Sequence, residues 1–319
     1  MPAKEWFNRA QQEGFAIGAF NVDNLEIMNA ICLAGRAKKS PIMLEFSQGE
    51  VGYFGLENIV DLVANAREKY KIPILLNLDH AKEVEDCEAA INYSSDSHSG
   101  EQSDSRIDSG QARLAAKRVR MTSDFGFDDI HFDGSELAFE ENVESTKRVV
   151  EAAHAKGILV EGEIDKLSGS SEAHQEEVDL EVLKKSYTDP LRAKKFVEAT
   201  GVDIFAAVFG NVHGTFPNQP DLDFELLKKI RQALPNTFLS LHGGSGIAAD
   251  QVKEAISVAK IVKVNVNTEL RQAFKDALAQ KMSEDSISYA YYKMAPDIES
   301  AVAAVVEGKI EVFGSGGKI

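Results

Sequence analysis

The chain has 319 residues, of which 44% are hydrophobic and 27% charged, and its formal net charge is −16. This composition is typical of a globular protein with its own hydrophobic core, and the acidic balance argues against nucleic acid or an anionic membrane as a partner. Cys32 and Cys87 are the two cysteines and form no CxxC pair, which argues against a cysteine zinc site or a disulfide scaffold.

The sequence also predicts where the protein resides. Its first residues, MPAKEWFNRAQQEG, do not have the pattern of a signal peptide, and no apolar run approaches the roughly 20 residues that a membrane span requires. Together with the sparse cysteines, this favours a reducing cytoplasm.

Eight short, continuously apolar runs read as β-strands that are covered on both faces. They span residues 15–22, 41–46, 73–79, 129–134, 158–164, 204–209, 237–243 and 261–267, and amphipathic helical stretches such as 56–70 and 141–157 separate them. Eight strand-then-helix units predict a (β/α)₈ TIM barrel. An open, doubly wound sheet is the alternative, although no Gly-x-Gly-x-x-Gly follows the first strand.

We expect residues 1–319 to form a single barrel domain with two additions. A polar insert at about 92–125 includes a stretch, 93–109, with seven serines and three aspartates, which is typical of a solvated loop. This insert is predicted to lie on the face opposite the carboxyl ends of the strands. A helical tail is predicted at about 284–319.

Catalytic residues of a barrel gather at the carboxyl ends of its strands, and three histidines occupy such positions. His80, His213 and His242 follow apolar runs in NLDHA, FGNVHGT and LSLHGGSG. If they converge, they form a zinc site with an open position, with Glu163 as a further ligand or as a partner that orients one. Their separation along the chain does not by itself prove proximity. His131, inside the fourth strand, is interpreted as a buried histidine with its hydrogen bonds satisfied.

Asp79 directly precedes the first of these histidines. In a regular strand its side chain would point to the opposite face from that of His80. Two roles are open: a general base beside a metal, or a helix cap or salt-bridge partner.

Two loops carry the pattern of a phosphate site. Gly243, Gly244 and Ser245 follow the seventh strand, and Asn267 and Thr268 precede a helix after the eighth. Loops at these positions often hold phosphate through backbone N–H groups and a helix N-terminus. The alternative is a pair of turn glycines and a threonine that caps a helix.

Taken jointly, these motifs resemble those of the class II, metal-dependent fructose-bisphosphate and tagatose-bisphosphate aldolases. The matching strings include AFNV, SQG, LDHA, HFDGSELAFEENVESTK, VEGEI, FVEATGVDIFAAVFGNVHG, LHGGSG and KVNVNTE, in the family's order. The resemblance covers nearly the whole chain except 92–125. It implies a catalytic Zn²⁺, a second, monovalent cation (Na⁺ or K⁺) near the phosphate loop, and a homodimer or homotetramer.

The resemblance also implies roles for individual residues. His80, His213 and His242 match the family's zinc ligands, and Asp79 matches the aspartate that handles the C4 hydroxyl proton. The remaining matches line the substrate cavity or contact phosphate, with Asn265 holding the dihydroxyacetone moiety: Asn21, Ser47, Gly214, Gly243, Ser245, Asn265, Asn267 and Thr268.

One departure concerns the family's mobile loop, which carries a glutamate at a fixed spacing after the VExE motif. Here the loop reads SGSSEAH, so that Ser171 occupies the expected place and Glu172 falls one residue late. Glu172 is the candidate loop acid on this basis.

The expected activity is zinc-dependent, reversible cleavage of fructose 1,6-bisphosphate to dihydroxyacetone phosphate and glyceraldehyde 3-phosphate. A tagatose-bisphosphate aldolase is the alternative within the family, and Asn267 favours the fructose isomer over it. A non-catalytic sugar-phosphate-binding barrel is the alternative from another class.

Overall fold

The structure, a computed structural model, describes residues 1–93, 126–284 and 289–319. Most of the predicted polar insert, residues 94–125, lies outside the described residues. The described residues form ten strands: β1 Ile17–Asn21, β2 Ile42–Ser47, β3 Ile74–Ala81, β4 Asp129–Phe132, β5 Leu159–Glu163, β6 Gly169–Ala173, β7 Ile204–Ala206, β8 His213–Thr215, β9 Phe238–Leu241 and β10 Ile261–Val266.

The α-helices of the described residues alternate with these strands. They are α1 Ala3–Glu13, α2 Leu25–Lys38, α3 Gln48–Phe54, α4 Leu56–Tyr70, α5 Val84–Asn92, α6 Phe139–His154, α7 Leu180–Leu183, α8 Pro190–Thr200, α9 Phe224–Ala233, α10 Ala249–Ala259, α11 Thr268–Glu284 and α12 Ala295–Phe313. The long helix of the predicted C-terminal tail is α12, and it packs against α2 and α11.

Eight parallel strands close into a barrel in the order β1-β2-β3-β4-β5-β7-β9-β10, and β10 pairs with β1 to complete the ring. This confirms the predicted (β/α)₈ barrel and excludes an open, doubly wound sheet. All eight predicted apolar runs correspond to barrel strands. The short strands β6 and β8 pair with each other outside the barrel.

Side chains that point into the barrel form layers, because alternate residues of each strand face the same side. At the amino-terminal end the layer is apolar and includes Met43, Leu75, Leu159 and Phe238. Helix α1 covers this end by packing Trp6 and Phe7 against the same cluster. The barrel is therefore closed at its base, and its interior is reached from the carboxyl ends of the strands.

The middle layer is charged and fully buried. Lys263 Nζ lies 2.6 Å from Glu161 Oε2, 2.8 Å from Glu45 Oε1 and 3.7 Å from Asp129 Oδ2. One cation faces three carboxyl groups, and burial raises the pKa of Asp129 well above its usual range and that of Glu45 to about 7. Lys263 is therefore an ion-paired interior residue below the cavity.

No helix in the described part of the chain combines the length and the apolar character that a membrane crossing would need.

Candidate active site

The upper layer of the barrel opens into a cavity of about 130 Å³ at the carboxyl ends of the strands. Twelve of the residues predicted from the sequence line it, together with two that were not predicted, Ser171 and Arg271. The lining residues are Asn21, Ser47, Asp79, His80, Ser171, His213, Gly214, His242, Gly243, Ser245, Asn265, Asn267, Thr268 and Arg271. Glu163, Gly244 and Glu172 were predicted but do not line this cavity.

Asp79 and His80 both face the cavity, although they are neighbours in one strand. Asp79 follows Leu75 and Asn77 in the inward register, so a regular strand would turn His80 outward. His80 instead has a left-handed backbone with φ of 50°, and the pairing of β3 with β4 shifts between Leu78 and Ala81. Opposite faces were expected only for a regular strand, and this irregularity turns the imidazole inward instead.

His80 and His242 face each other through one ring nitrogen each. His80 Nδ1 lies 3.1 Å from Asp133 Oδ2, and His242 Nε2 lies 2.8 Å from Glu161 Oε1. The other two ring nitrogens, His80 Nε2 and His242 Nδ1, are 3.0 Å apart and share a hydrogen bond. Burial opposes protonation of His80, but adjacent carboxylates, Asp79 foremost, raise its pKa well above the ordinary value, so His80 donates in this bond. Two imidazole nitrogens this close, each ring held by a carboxylate, fit a divalent metal that would replace the shared proton.

His213 completes the group of imidazoles. Its ring centre is 5.0 Å from that of His80 and 6.3 Å from that of His242. Burial, reinforced by the neighbouring histidines, lowers the pKa of His213 well below its ordinary value, and burial lowers that of His242 to about 4. Both are therefore neutral at pH 7, the form in which imidazole binds a metal. The three predicted ligands line one cavity, but among the described residues the groups that could hold a metal ion include His80 and His242 and not His213. The three-histidine site therefore stays a prediction.

Asp79 is the acid of the cavity. Burial by itself would favour its neutral form, but the imidazoles of His80, His131 and His242 hold its pKa well below the usual range. Asn21 Nδ2 donates to Asp79 Oδ2 at 3.1 Å, and Asn265 Nδ2 donates to Oδ1 at 3.4 Å. These contacts keep an ionised carboxylate at a fixed position beside the histidines.

His131 is a residue of the site that the sequence interpretation missed. It is fully buried, and its Nδ1 accepts from the His80 backbone N–H at 3.3 Å and lies 3.4 Å from Asp79 Oδ1. Its Nε2 has no hydrogen-bond partner among the described residues, so the prediction that the hydrogen bonds of His131 are satisfied is wrong. Metal-binding atoms of Asp79, His80, His131 and His242 all lie within 4.8 Å of one another. The register of β4, in which Asp129, His131 and Asp133 alternate, carries the signal that could have identified it.

Glu163 stands behind His80 at the end of β5. Its Oε1 lies 3.3 Å from His80 Nδ1 and 3.6 Å from His131 Nε2. Burial, with the adjacent Asp133 carboxylate, raises the pKa of Glu163 to about 7. His80, Asp133 and Glu163 form a second group that could hold a metal ion. Both roles predicted for Glu163, a further metal ligand or a partner that orients one, are compatible with this position and stay predictions.

The predicted phosphate loops face the other side of the cavity. Gly243 (φ 67°) and Gly214 (φ 97°) both have left-handed backbones, and a Cβ at either would lie within 2.4 Å of a backbone oxygen, so only glycine fits there. Asn265 and Asn267 each have a buried side-chain oxygen without a partner in the described structure. Thr268 begins helix α11, whose N-terminus favours an anion.

Gly244 and Glu172 differ from the predictions. The Gly244 N–H donates to the Asn265 carbonyl at 2.8 Å, so it is not available to a phosphate. Glu172 lies on β6 and is exposed, whereas Ser171, the preceding residue, lines the cavity. Because side chains alternate along a strand, the acid at 172 faces away from the site in this arrangement.

A barrel whose open end gathers histidines, a buried aspartate and a helix N-terminus is typical of metal-dependent enzymes that act on phosphorylated substrates. Comparison with known proteins gives the family. The family model "Fructose-bisphosphate aldolase class-II" matches residues 1–318. The chain belongs to this family and is an aldolase of class II.

Individual relatives match this chain over nearly the full length of both proteins. The chain is 35% identical to a fructose-bisphosphate aldolase of Geobacillus stearothermophilus over 99% of its own length and 97% of the relative's. It is 34% identical to one from Streptococcus pneumoniae, with coverage of 99% and 98%.

Two solved structures resemble the fold. The YdjI aldolase from Escherichia coli K12 has a TM-score of 0.71 at 29% identity, with 100% of this chain and 98% of that chain covered. A candidate fructose-1,6-bisphosphate aldolase from Coccidioides immitis has a TM-score of 0.77 at 28% identity, with 99% and 97% covered.

Proposed function

We propose that the protein catalyses reversible, metal-dependent aldol cleavage of a phosphorylated ketose to dihydroxyacetone phosphate and an aldehyde. The observation that carries this proposal is the facing pair of nitrogens, His80 Nε2 and His242 Nδ1, with the Asp79 carboxylate beside them. The sequence motifs and the names of the relatives make fructose 1,6-bisphosphate the first substrate to assay; its aldehyde product is glyceraldehyde 3-phosphate.

Aldol cleavage leaves negative charge on the carbon next to a carbonyl, and this charge must be stabilised. A bound Zn²⁺ supplies a Lewis acid for the C2 carbonyl, and His80, His213 and His242 would hold it, with Glu163 as an alternative ligand. Asn265, whose amide is fixed by Glu45 and Asp79, presents its unpaired oxygen to the dihydroxyacetone part of the substrate.

Asp79 is proposed as the base that removes the C4 hydroxyl proton, after which the C3–C4 bond breaks. Among the described residues that line the cavity, Asp79 alone carries a carboxyl group. It is therefore also placed to return a proton to C3 once the aldehyde has left. Glu172, the donor suggested by the family resemblance, takes this role only if the β6 loop rearranges.

The C1 phosphate is assigned to β8 and to the loops after β9 and β10. Gly214, Gly243, Ser245, Asn267 and Thr268 surround that end of the cavity. Binding energy from a phosphate remote from the reacting carbons orients the ketone. Three further expectations complete the proposal. They are a monovalent cation near the phosphate loops, assembly as a homodimer or homotetramer, and a cytoplasmic location.

The test is a coupled assay that measures dihydroxyacetone phosphate release from fructose and tagatose 1,6-bisphosphates. Treatment with EDTA should abolish activity and Zn²⁺ should restore it, whereas borohydride added with substrate should not inactivate, because Lys263 is buried and ion-paired. Activity that survives complete metal removal would contradict the metal mechanism. Zinc binding without turnover of any ketose phosphate would instead favour a non-catalytic sugar-phosphate-binding barrel.

A further inference from the structure

The loop of residues 243–246, which follows β9, carries part of the proposed site for the C1 phosphate. Three contacts hold its backbone in place. The Gly244 N–H donates to the Asn265 carbonyl on β10 at 2.8 Å, and the Gly246 N–H donates to Glu269 Oε1 at 2.9 Å. The third contact comes from the C-terminal helix α12, which takes no part in the mechanism proposed above.

Lys309 of α12 makes this third contact. Its Nζ lies 2.6 Å from Glu269 Oε2 and donates to the Gly244 carbonyl at 3.3 Å. The Lys309 side chain is 13% exposed and that of Glu269 25%, so this ion pair is better shielded from water than a surface pair. One ammonium group therefore binds the loop directly and also binds the carboxylate that accepts from Gly246.

Glu269 extends this restraint to a residue that would contact phosphate. Its backbone N–H, in the first turn of α11, donates to Ser245 Oγ at 3.3 Å. Because the Ser245 oxygen accepts this bond, its hydroxyl hydrogen can still be donated to a phosphate oxygen. Ser245 is buried and lines the cavity, so a displaced loop would move a fixed donor away from the anion. Donors held in place before binding cost less to order when the phosphate arrives.

Lys38 offers a comparison within the same helix pair. Its Nζ lies 2.7 Å from Glu311 and 3.2 Å from Glu307, both on α12, and so ties α12 to α2. Lys309 instead reaches from α12 to the 243–246 loop. If Lys309 served only to dock α12, the loss of either ammonium would have the same kind of effect.

We propose that Lys309 is a positioning residue of the aldolase, which holds the 243–246 loop in the shape that binds the C1 phosphate. It acts through Glu269 and through the Gly244 carbonyl. This inference rests on the proposed function, in which the loop binds that phosphate, and it gives the C-terminal helix a part in substrate binding. Without the ammonium, the Glu269 carboxylate loses its partner and the loop loses two of its restraints.

Lys309→Met is the test variant, because methionine keeps much of the apolar stem and removes the ammonium. Calorimetric titration of the zinc-loaded protein with dihydroxyacetone phosphate should give a Kd about tenfold above that of the wild type. In a coupled assay with fructose 1,6-bisphosphate, KM should rise by a similar factor and kcat should change by less than about threefold, since the phosphate contact is the same in the ground and transition states. Zinc content should equal that of the wild type.

Lys38→Met is the matched control. It also removes an ammonium that pairs with glutamates, but these glutamates lie on α12, and the Kd should equal that of the wild type. Glu269→Gln breaks the Lys309 ion pair from the other side. It should raise the Kd in the same direction, and it decides the matter if Lys309→Met does not fold.

A folded Lys309→Met protein with the Kd and KM of the wild type would overturn the inference. An equal rise of the Kd in Lys38→Met would overturn it too, because the docking of α12 would then be the cause. A wild-type protein that binds dihydroxyacetone phosphate but cleaves no ketose phosphate would contradict the proposed function, while the Kd values of the variants would still decide the role of Lys309. Absence of binding to the wild type would overturn both.

Discussion

His80 adopts a backbone conformation that non-glycine residues rarely use, and this decides how the acid and the imidazoles share one site. The left-handed region costs an L-residue on the order of 1–2 kcal/mol. Here it allows consecutive side chains, Asp79 and His80, to face the same cavity. The close contact between them, 4.0 Å from Asp79 Oδ1 to His80 Nε2, follows from this geometry.

Asp79→Asn tests the proposed base. The amide keeps the size of the side chain but cannot take a proton, so we expect kcat to fall by about 10²–10⁴-fold. Zinc content, measured by atomic absorption, should stay near one ion per chain. If zinc is lost instead, Asp79 acts in holding the metal and the base lies elsewhere.

Glu50→Gln tests the electrostatics of the second cavity, which Asp23, Glu50 and Arg271 line beside the first. Burial, assisted by Asp23, raises the pKa of Glu50 from 4.5 to about 8 in the folded protein, whereas Arg271 opposes this rise. Between these values the folded state holds a proton that the unfolded state has released, so this group lowers the free energy of unfolding as pH rises from about 4.5 to 8. The free energy of unfolding, measured with urea from pH 5 to pH 8, should therefore decline less in Glu50→Gln than in the wild type.

The exposed Glu151→Gln variant is the control for that series and should follow the wild type. A decline of equal size in Glu50→Gln would mean that Glu50 is ionised in the folded protein throughout this range.

At the scale of elements, the strands of the barrel could be predicted and the small sheet could not. Barrel strands are buried on both faces and therefore apolar, which makes them visible in the sequence. The β6 segment, Gly169–Ala173, is largely exposed and polar and resembles a loop in composition.

The site residues also divide into those that the sequence reveals and those that it does not. Those at strand ends were found, whereas Arg271 lies one turn inside α11, where the sequence does not reveal which way a long side chain leans. His131 was visible only through the inward register of β4.

Strand β6 decides whether Glu172 takes part in the reaction. Its side chain faces away from the cavity, so Glu172→Gln should change kcat by less than about threefold, far less than Asp79→Asn. Steady-state turnover of the two variants, with Ser171→Ala alongside, makes the comparison. A loss of a hundredfold or more in Glu172→Gln would show that β6 turns over in the substrate complex and brings this acid inside.

At the scale of the whole molecule, α1 closes the base of the barrel. Trp6 is 4% exposed and packs in the apolar cluster beneath the charged layer. Replacing a buried aromatic side chain with alanine costs about 3–5 kcal/mol, and the site lies at the opposite end. Trp6→Ala should therefore lower the urea midpoint while folded protein keeps a kcat close to that of the wild type.

Glu5→Ala, on the exposed face of the same helix, is the control and should leave the midpoint nearly unchanged. A folded Trp6→Ala protein with a strongly reduced kcat would show that the base of the barrel influences the chemistry.

The closed base has a kinetic consequence. With one opening, everything that enters the barrel leaves by the same route. In the proposed function the phosphate loops hold the dihydroxyacetone half of the substrate, so we expect the aldehyde to depart first and dihydroxyacetone phosphate last. Since the final product to leave is the one that meets free enzyme, dihydroxyacetone phosphate should inhibit competitively with the ketose, while the aldehyde inhibits in a mixed manner.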